Sequence, residues 1–159
     1  YEVKMAETEV EVDEFYHLLA SHYKTKVKKP IFPIEFFAQI LAQKVGEIML
    51  IKINGKVVSG MLQLSYGNTV YDYYVFGLDT QYPNNYPSVL VYWETIKRAS
   101  ALGYTTFDTM GAGVPGQAYG VRDFKLRFGS HLVEHGRFLS INKPLLYKLG
   151  TFAIMLISR

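Results

Sequence analysis

Cysteine is absent from the 159 residues. That excludes a disulfide framework, a thiolate zinc or iron–sulfur site, and a cysteine nucleophile. Charged side chains are sparse at 19%, and tryptophan occurs once. No long apolar run exists. The longest stretch, Leu145 to Ile157, is broken by Lys148 and Gly150 and falls short of the ~20 residues that a bilayer helix needs. No basic segment followed by an apolar one opens the chain, so no secretory signal is visible and a cytoplasmic location is expected. The first residue is Tyr1 rather than Met, which reads as a piece of a longer protein. Histidine is limited to His17, His22, His131 and His135. The last two share the face of an expected strand without being adjacent, so no metal site is expected.

What is present is an apolar chain, 49% hydrophobic, with 13 Tyr and 10 Phe. One domain covering 1–159 follows from the length, large enough to fold without covalent staples. The net charge of +3 permits an anionic ligand without requiring one.

The chain opens with an acidic run, Glu7, Glu9, Glu11, Asp13 and Glu14, before Phe15, Leu18 and Leu19. Acidic residues suit a helix N-terminus, so a helix is expected over Thr8 to Ser21 with a solvated first turn. Lys24 to Pro30 reads as a basic loop, and Pro33 opens a second helix over Ile34 to Lys44. Gly46 to Ile53, Lys56 to Tyr66 and Thr69 to Phe76 read as three antiparallel strands, the first two joined by Asn54-Gly55. Alternation in the third places Tyr71, Tyr73 and Val75 on one face and Asp72, Tyr74 and Phe76 on the other. A helix over Val89 to Leu102 carries Val89, Trp93, Ile96 and Ala99 on its apolar face, with Glu94 and Arg98 as an i,i+4 pair. Tyr104 to Met110 is a fourth strand and Arg122 to Phe128 a short helix. His131 to Ile141 is a further strand, and Pro144 starts a final helix. A helix between the third and fourth strands forces a crossover. The expected fold is α+β, a mixed, mostly antiparallel sheet with helices on both faces.

Four features can carry chemistry. Phe124 and Phe128 stand at i,i+4 and anchor the short helix, so Lys125 projects about 100° away beside a glycine-rich loop. A lysine so held can stabilise an oxyanion or a phosphate, or be an ordinary surface residue. Asp108 ends a strand just before the loop, where ligands meet open sheets, and can accept a proton or simply cap loop amides. Gly111, Gly113, Gly116 and Gly120 lack the spacing of a dinucleotide or phosphate loop. Tyr66, Tyr71, Tyr73, Tyr74 and Tyr119 can offer phenols to a substrate or fill the core. No nucleophile elbow for a Ser-His-Asp triad is visible.

Together these pieces resemble the C-terminal half of the Fem-type aminoacyltransferases, which build peptidoglycan cross-bridges, and related N-acyltransferases of GNAT-like fold. The residues carrying the resemblance are Pro33-x-x-Phe36-Phe37, Tyr71-x-Tyr73, Trp93-x-x-Ile96-x-x-Ala99-x-x-x-Gly103, Phe107-Asp108 and Phe124-Lys125-x-x-Phe128-Gly129. The resemblance implies acyl or aminoacyl transfer to an amine. The donor is aminoacyl-tRNA or acyl-CoA, the acceptor a muramyl-peptide or other amine, and no bound cofactor is needed. It carries Phe124 and Lys125 over to the transfer site and Tyr74 or Tyr73 to the substrate cleft; Asp108 joins them as a catalytic candidate, and Tyr119, Arg122 and Arg127 as substrate-binding candidates. It also implies an N-terminal partner domain. The acyl-CoA signature Gln/Arg-x-x-Gly-x-Gly/Ala is not found before the Val89 helix, and Gln117-x-x-Gly120-x-Arg122 is only a displaced near match. A CoA-dependent N-acetyltransferase and a non-catalytic binding or structural domain are the competing readings.

Overall fold

The computed structural model describes every residue except His135, Arg137, Ser158 and Arg159, and only the backbone of Ile157. Five strands form one sheet in the order β1-β2-β3-β4-β5. They are β1 (Glu2–Met5), β2 (Gly46–Ile53), β3 (Lys56–Tyr66), β4 (Thr69–Gly77) and β5 (Thr106–Asp108). The first four pair antiparallel and β5 lies parallel to β4. The connection between β4 and β5 is α3 (Pro87–Ala101), as a parallel neighbour demands. The expected α+β mixed sheet is therefore present. The strand β1, four residues of alternating polar and apolar type, was not among the expected elements.

Helices cover both faces. On one, α1 (Glu9–His22) and α2 (Ile34–Ala42) set Phe15, Leu19 and Phe37 against Ile48, Leu50, Leu62 and Phe76. On the other, α3 sets Val91 and Tyr92 against Met49, Ile51, Val58 and Met61, joined by Phe124 and Phe128 from and just beyond α4 (Gly120–Leu126). The last helix, α5 (Pro144–Ile157), leaves Leu145, Leu149 and Phe152 exposed. Among the described residues no helix is long and apolar enough to cross a membrane.

Glu7, Glu9, Asp13 and Glu14 of the acidic run are exposed, as its charges suggest, while Glu11 is buried. Thr8 Oγ1 accepts the Glu11 backbone N–H at 3.3 Å, while Glu11 Oε2 accepts those of Thr8 and Glu7 at 3.2 and 3.0 Å. Glu11 also pairs with Lys4 of β1. This is a capping box that ties the helix to the edge strand. The expected basic loop is partly helical, because Tyr23–Val27 continue α1 as a π-helical turn that ends at Lys28 in a left-handed conformation.

The β3–β4 ladder slips between Leu62 and Gln63. Leu62 opposes Tyr74 and Gln63 opposes Asp72, which leaves Tyr73 as an extra residue. Such a bulge breaks the alternation of faces. Tyr73 and Tyr74 both pack on the α1–α2 side, while Asp72 bonds to Tyr92 of α3. The expected grouping of Asp72 with Tyr74 and Phe76 is thereby corrected.

Three other expectations are corrected. The buried residues of α3 include Val91, Tyr92, Thr95 and Ala99, while Val89 and Trp93 are 41% and 51% exposed. The polar members are buried because each is satisfied: the Tyr92 hydroxyl by Asp72, and Thr95 Oγ1 by the Val91 carbonyl at 2.7 Å. Arg98 bonds to Glu47 of β2 through two contacts of 2.8 Å, and Glu94 pairs with Lys97 at 2.7 Å, so no Glu94–Arg98 pair forms. Residues 131–134, 136 and 138–141 form no strand; the sheet edge at β5 is only three residues long and offers a short ladder to extend; His135 and Arg137 lie outside the described residues.

Gly60 lets α1 approach the sheet. A Cβ there would stand 2.8 Å from Phe15 Cδ2 and 3.0 Å from Phe76 Cε1. Both rings are fully enclosed, so Gly60→Ala is expected to cost about 1–3 kcal/mol, read as a lower urea midpoint. Glu11 supplies a pH signature. Its bond to Lys4, then the Glu7 amide, hold its carboxyl down from 4.5 to about 2. A depressed carboxyl contributes stability above its unfolded value and loses it as pH falls through the folded one. Glu11→Gln is expected to flatten the stability profile between about pH 4.5 and 2, measured by urea unfolding across that range.

Candidate active site

Three rings fix the site. Tyr92 of α3 lies 5.1 Å from Phe124 and 5.3 Å from Phe128, and the two phenylalanines are 5.2 Å apart. One helical turn separates Phe124 from Phe128, so both reach Tyr92 from the same side. This wedge seats α4, and Gly129, with φ of 82°, turns the chain away. Ser130 Oγ donates to the Lys125 carbonyl at 2.8 Å and closes the end of the turn.

Lys125 is thereby directed inward, with 8% of its surface exposed. Its ammonium donates to the carbonyls of Thr109 and Gly111, the latter at 3.2 Å. It stands 3.7 Å from Asp72 Oδ2. Asp72 also accepts the Tyr92 hydroxyl. Burial pushes the Asp72 carboxyl upward, opposed by Tyr92 and Lys125, with Asp108 adding to the rise. Tyr92 is pushed up by burial and then by Asp72. The Tyr23 phenol is raised to about 12, first by burial and then by Tyr74, Asp72 and Tyr119.

Beyond β5 the chain forms a loop held by its own side chains. Asp108 Oδ1 accepts the Met110 N–H at 2.7 Å, and Met110 is left-handed with φ of 58°. Arg122 donates to the carbonyls of Ala112, Val114 and Gln117, at 3.4 and 3.3 Å for the first two. Gly113 has φ of 77°, and a Cβ on it would reach within 2.7 Å of the Tyr119 ring. Between this loop, α4 and the following segment runs a cleft of about 750 Å³, lined by Asp108, Thr109, Gly111, Arg122, Lys125 and Phe128 among others. Among the described residues no cluster of three His, Asp or Glu side chains comes together to hold a metal.

The structure thus brings Lys125, Asp108 and Arg122 to one cleft, with Phe124 in the wedge behind it. Tyr119 borders the loop with its ring against Gly113. Tyr73 and Tyr74 lie across the sheet in an aromatic cluster, with ring centroids 6.0 Å from Phe36 and 5.4 Å from Tyr23 respectively. Arg127 is exposed and does not line the cleft. Sequence reasoning missed Asp72 and Tyr92. An acid inside a strand otherwise built of Val, Tyr and Phe was the available signal.

The N-terminus of α3 is also occupied. Asp79 Oδ1 accepts the Ser88 N–H at 3.0 Å and its other oxygen accepts the Ser88 hydroxyl. Tyr86 stands at the cap position in a left-handed conformation.

The family profile described as an acetyltransferase (GNAT) domain matches residues 1–126. Solved structures share the fold. A ribosomal-protein-alanine N-acetyltransferase from Brucella melitensis biovar Abortus 2308 superposes with a TM-score of 0.65 at 11% identity, covering 89% of this chain and 100% of its own. An aminoglycoside acetyltransferase from an uncultured soil metagenomic sample, solved with sisomicin, gives 0.59 at 16% identity, covering 88% and 96%. An aminoglycoside 6'-N-acetyltransferase from Acinetobacter haemolyticus gives 0.64 at 12% identity, covering 90% and 99%. No curated protein matches the sequence significantly. With four fifths of its length matched, the chain belongs to the GNAT acetyltransferase domain family and is an acyltransferase of that type.

Proposed function

We propose that the cleft beside Lys125 transfers an acyl group from an activated carbonyl donor, an acyl-CoA thioester, to an amine. The observation carrying this reading is the Lys125 ammonium, enclosed, aimed and set in the cleft wall. Its 3.7 Å distance to Asp72 exceeds a hydrogen bond, so one N–H is left for an incoming carbonyl oxygen. The amine nitrogen attacks the acyl carbon, the N–C bond forms and the C–S bond breaks. The thiol leaves with the proton that the amine gives up. Lys125 stabilises the oxyanion between those events. The donor is already activated, so orientation and one cation account for most of the required catalysis. Asp108 is proposed to take the amine proton and pass it to the departing sulfur, with Phe124 holding Lys125 in place. Tyr119 and Arg122 are proposed to shape the substrate wall and the exposed Arg127 to meet the substrate's outer parts, while Tyr73 and Tyr74, packed across the sheet, take no substrate role in this reading. The amine acceptors named for the structural neighbours, an aminoglycoside and a protein alanine, support an amine acceptor here.

A second reading replaces the thioester by the ester of an aminoacyl-tRNA and makes the acceptor a muramyl-peptide amine in the cytoplasm, with an upstream domain completing the acceptor site. Two observations favour it. Phe124-Lys125-x-x-Phe128-Gly129, a motif that carries the Fem-type resemblance, packs as the wedge that seats Lys125 beside the cleft. In addition, a helix N-terminus is a natural diphosphate site, and at α3 Asp79 already takes the Ser88 amide and hydroxyl.

Lys125→Met is expected to lower turnover by about 10²–10³-fold, the scale of losing one oxyanion donor, with the circular dichroism spectrum unchanged. Full turnover in that variant refutes the role. Isothermal titration separates the donors: heat with acetyl-CoA supports the thioester reading, and its absence together with binding of aminoacyl-tRNA supports the second.

A further inference from the structure

The Lys125–Asp72 pair poses a physical question. An ammonium and a carboxylate with side-chain exposures of 11% and 4% are costly to bury, and their attraction repays the cost only in good geometry. Two carbonyls, those of Thr109 and Gly111, already accept from Lys125 and draw the ammonium towards the loop. Asp72 draws it the opposite way, towards β4. The carboxylate has no freedom to follow, because the bulge at Tyr73 fixes its direction and the Tyr92 hydroxyl holds Oδ2. Tyr92 in turn stacks on Phe128, with planes 26° apart, and meets Phe124 edge-on. One tyrosine therefore touches both the carboxylate and the two rings that aim the lysine.

We propose that Asp72, held by the Tyr92 hydroxyl, is the positioning residue for Lys125: its carboxylate sets where the ammonium stands between the β5 loop and β4, and so where its charge meets the reacting carbonyl. Asp72 acts through Lys125 and does not itself touch substrate. The inference rests on the transferase reading of the cleft. It assigns a task to an acid that sequence reasoning passed over. It also gives the bulge a purpose, since without the extra residue the face alternation of β4 would turn position 72 away from α3.

The test uses two readouts on the full chain. The first is the rate at which Lys125 is acetylated by acetic anhydride, followed by mass spectrometry. The second is kcat and KM with acetyl-CoA and aminoacyl-tRNA donors. Asp72→Asn keeps the shape and removes the charge. It is expected to raise Lys125 labelling at least about fivefold and to lower kcat by about tenfold to a hundredfold, the scale of a misplaced group, with donor KM within about twofold. Tyr92→Phe keeps the rings and removes the hydroxyl; smaller changes in the same directions are expected, and it carries the test if Asp72→Asn does not fold. Unchanged labelling, or raised labelling with unchanged kcat, overturns the proposal. Absence of turnover with every donor in the unaltered protein refutes the transferase reading instead, and the labelling arm still decides whether Asp72 positions Lys125.

Discussion

Two opposite charges enclosed side by side, the Lys125 ammonium and the Asp72 carboxylate, join three stretches of chain: β4, the loop after β5, and α4. Breaking such a pair by removing one member typically costs about 3–5 kcal/mol, because the other is left buried alone. The pair also faces a cleft. Structural economy and chemistry coincide in one side chain.

The surroundings divide into a rigid and an adaptable part. Tyr92, Phe124 and Phe128 form a compact ring cluster, and such contacts resist displacement. The loop opposite is rich in glycine and is shaped by polar side chains: Asp108 holding one amide and Arg122 holding three carbonyls. A fixed cation against a wall held by hydrogen bonds suits a site that must admit a bulky donor while keeping its electrostatics preorganised. The same division explains why Arg122 reads from sequence as a substrate ligand and in the structure as a brace, its guanidinium turned to loop carbonyls.

Much of this was legible in the sequence, for identifiable reasons. Asn54-Gly55 takes φ values of 51° and 74°, a local requirement that few residue pairs meet. The i,i+4 spacing of Phe124 and Phe128 fixes the direction of Lys125 from helix geometry alone. The parallel β4–β5 pairing follows from the intervening helix. What was hidden depends on non-local structure. The bulge at Tyr73 cancels the period of two on which the faces of β4 were judged. Tyr92 of α3 is buried because Asp72 on the sheet accepts its hydroxyl, and Thr95 because the Val91 carbonyl one turn back accepts its own, which hydrophobic periodicity does not register. The alternating stretch after His131 looks like a strand, but the sheet edge at β5 is only three residues long and is left unextended, and β1 is too short to announce itself.

A structure with an unreactive acyl-donor analogue bound measures the central claim directly. The account expects the carbonyl oxygen of the analogue within hydrogen-bond distance of Lys125 Nζ, with Lys125 still beside Asp72. An analogue bound with its carbonyl remote from Lys125, or outside the cleft between the β5 loop and α4, would contradict it.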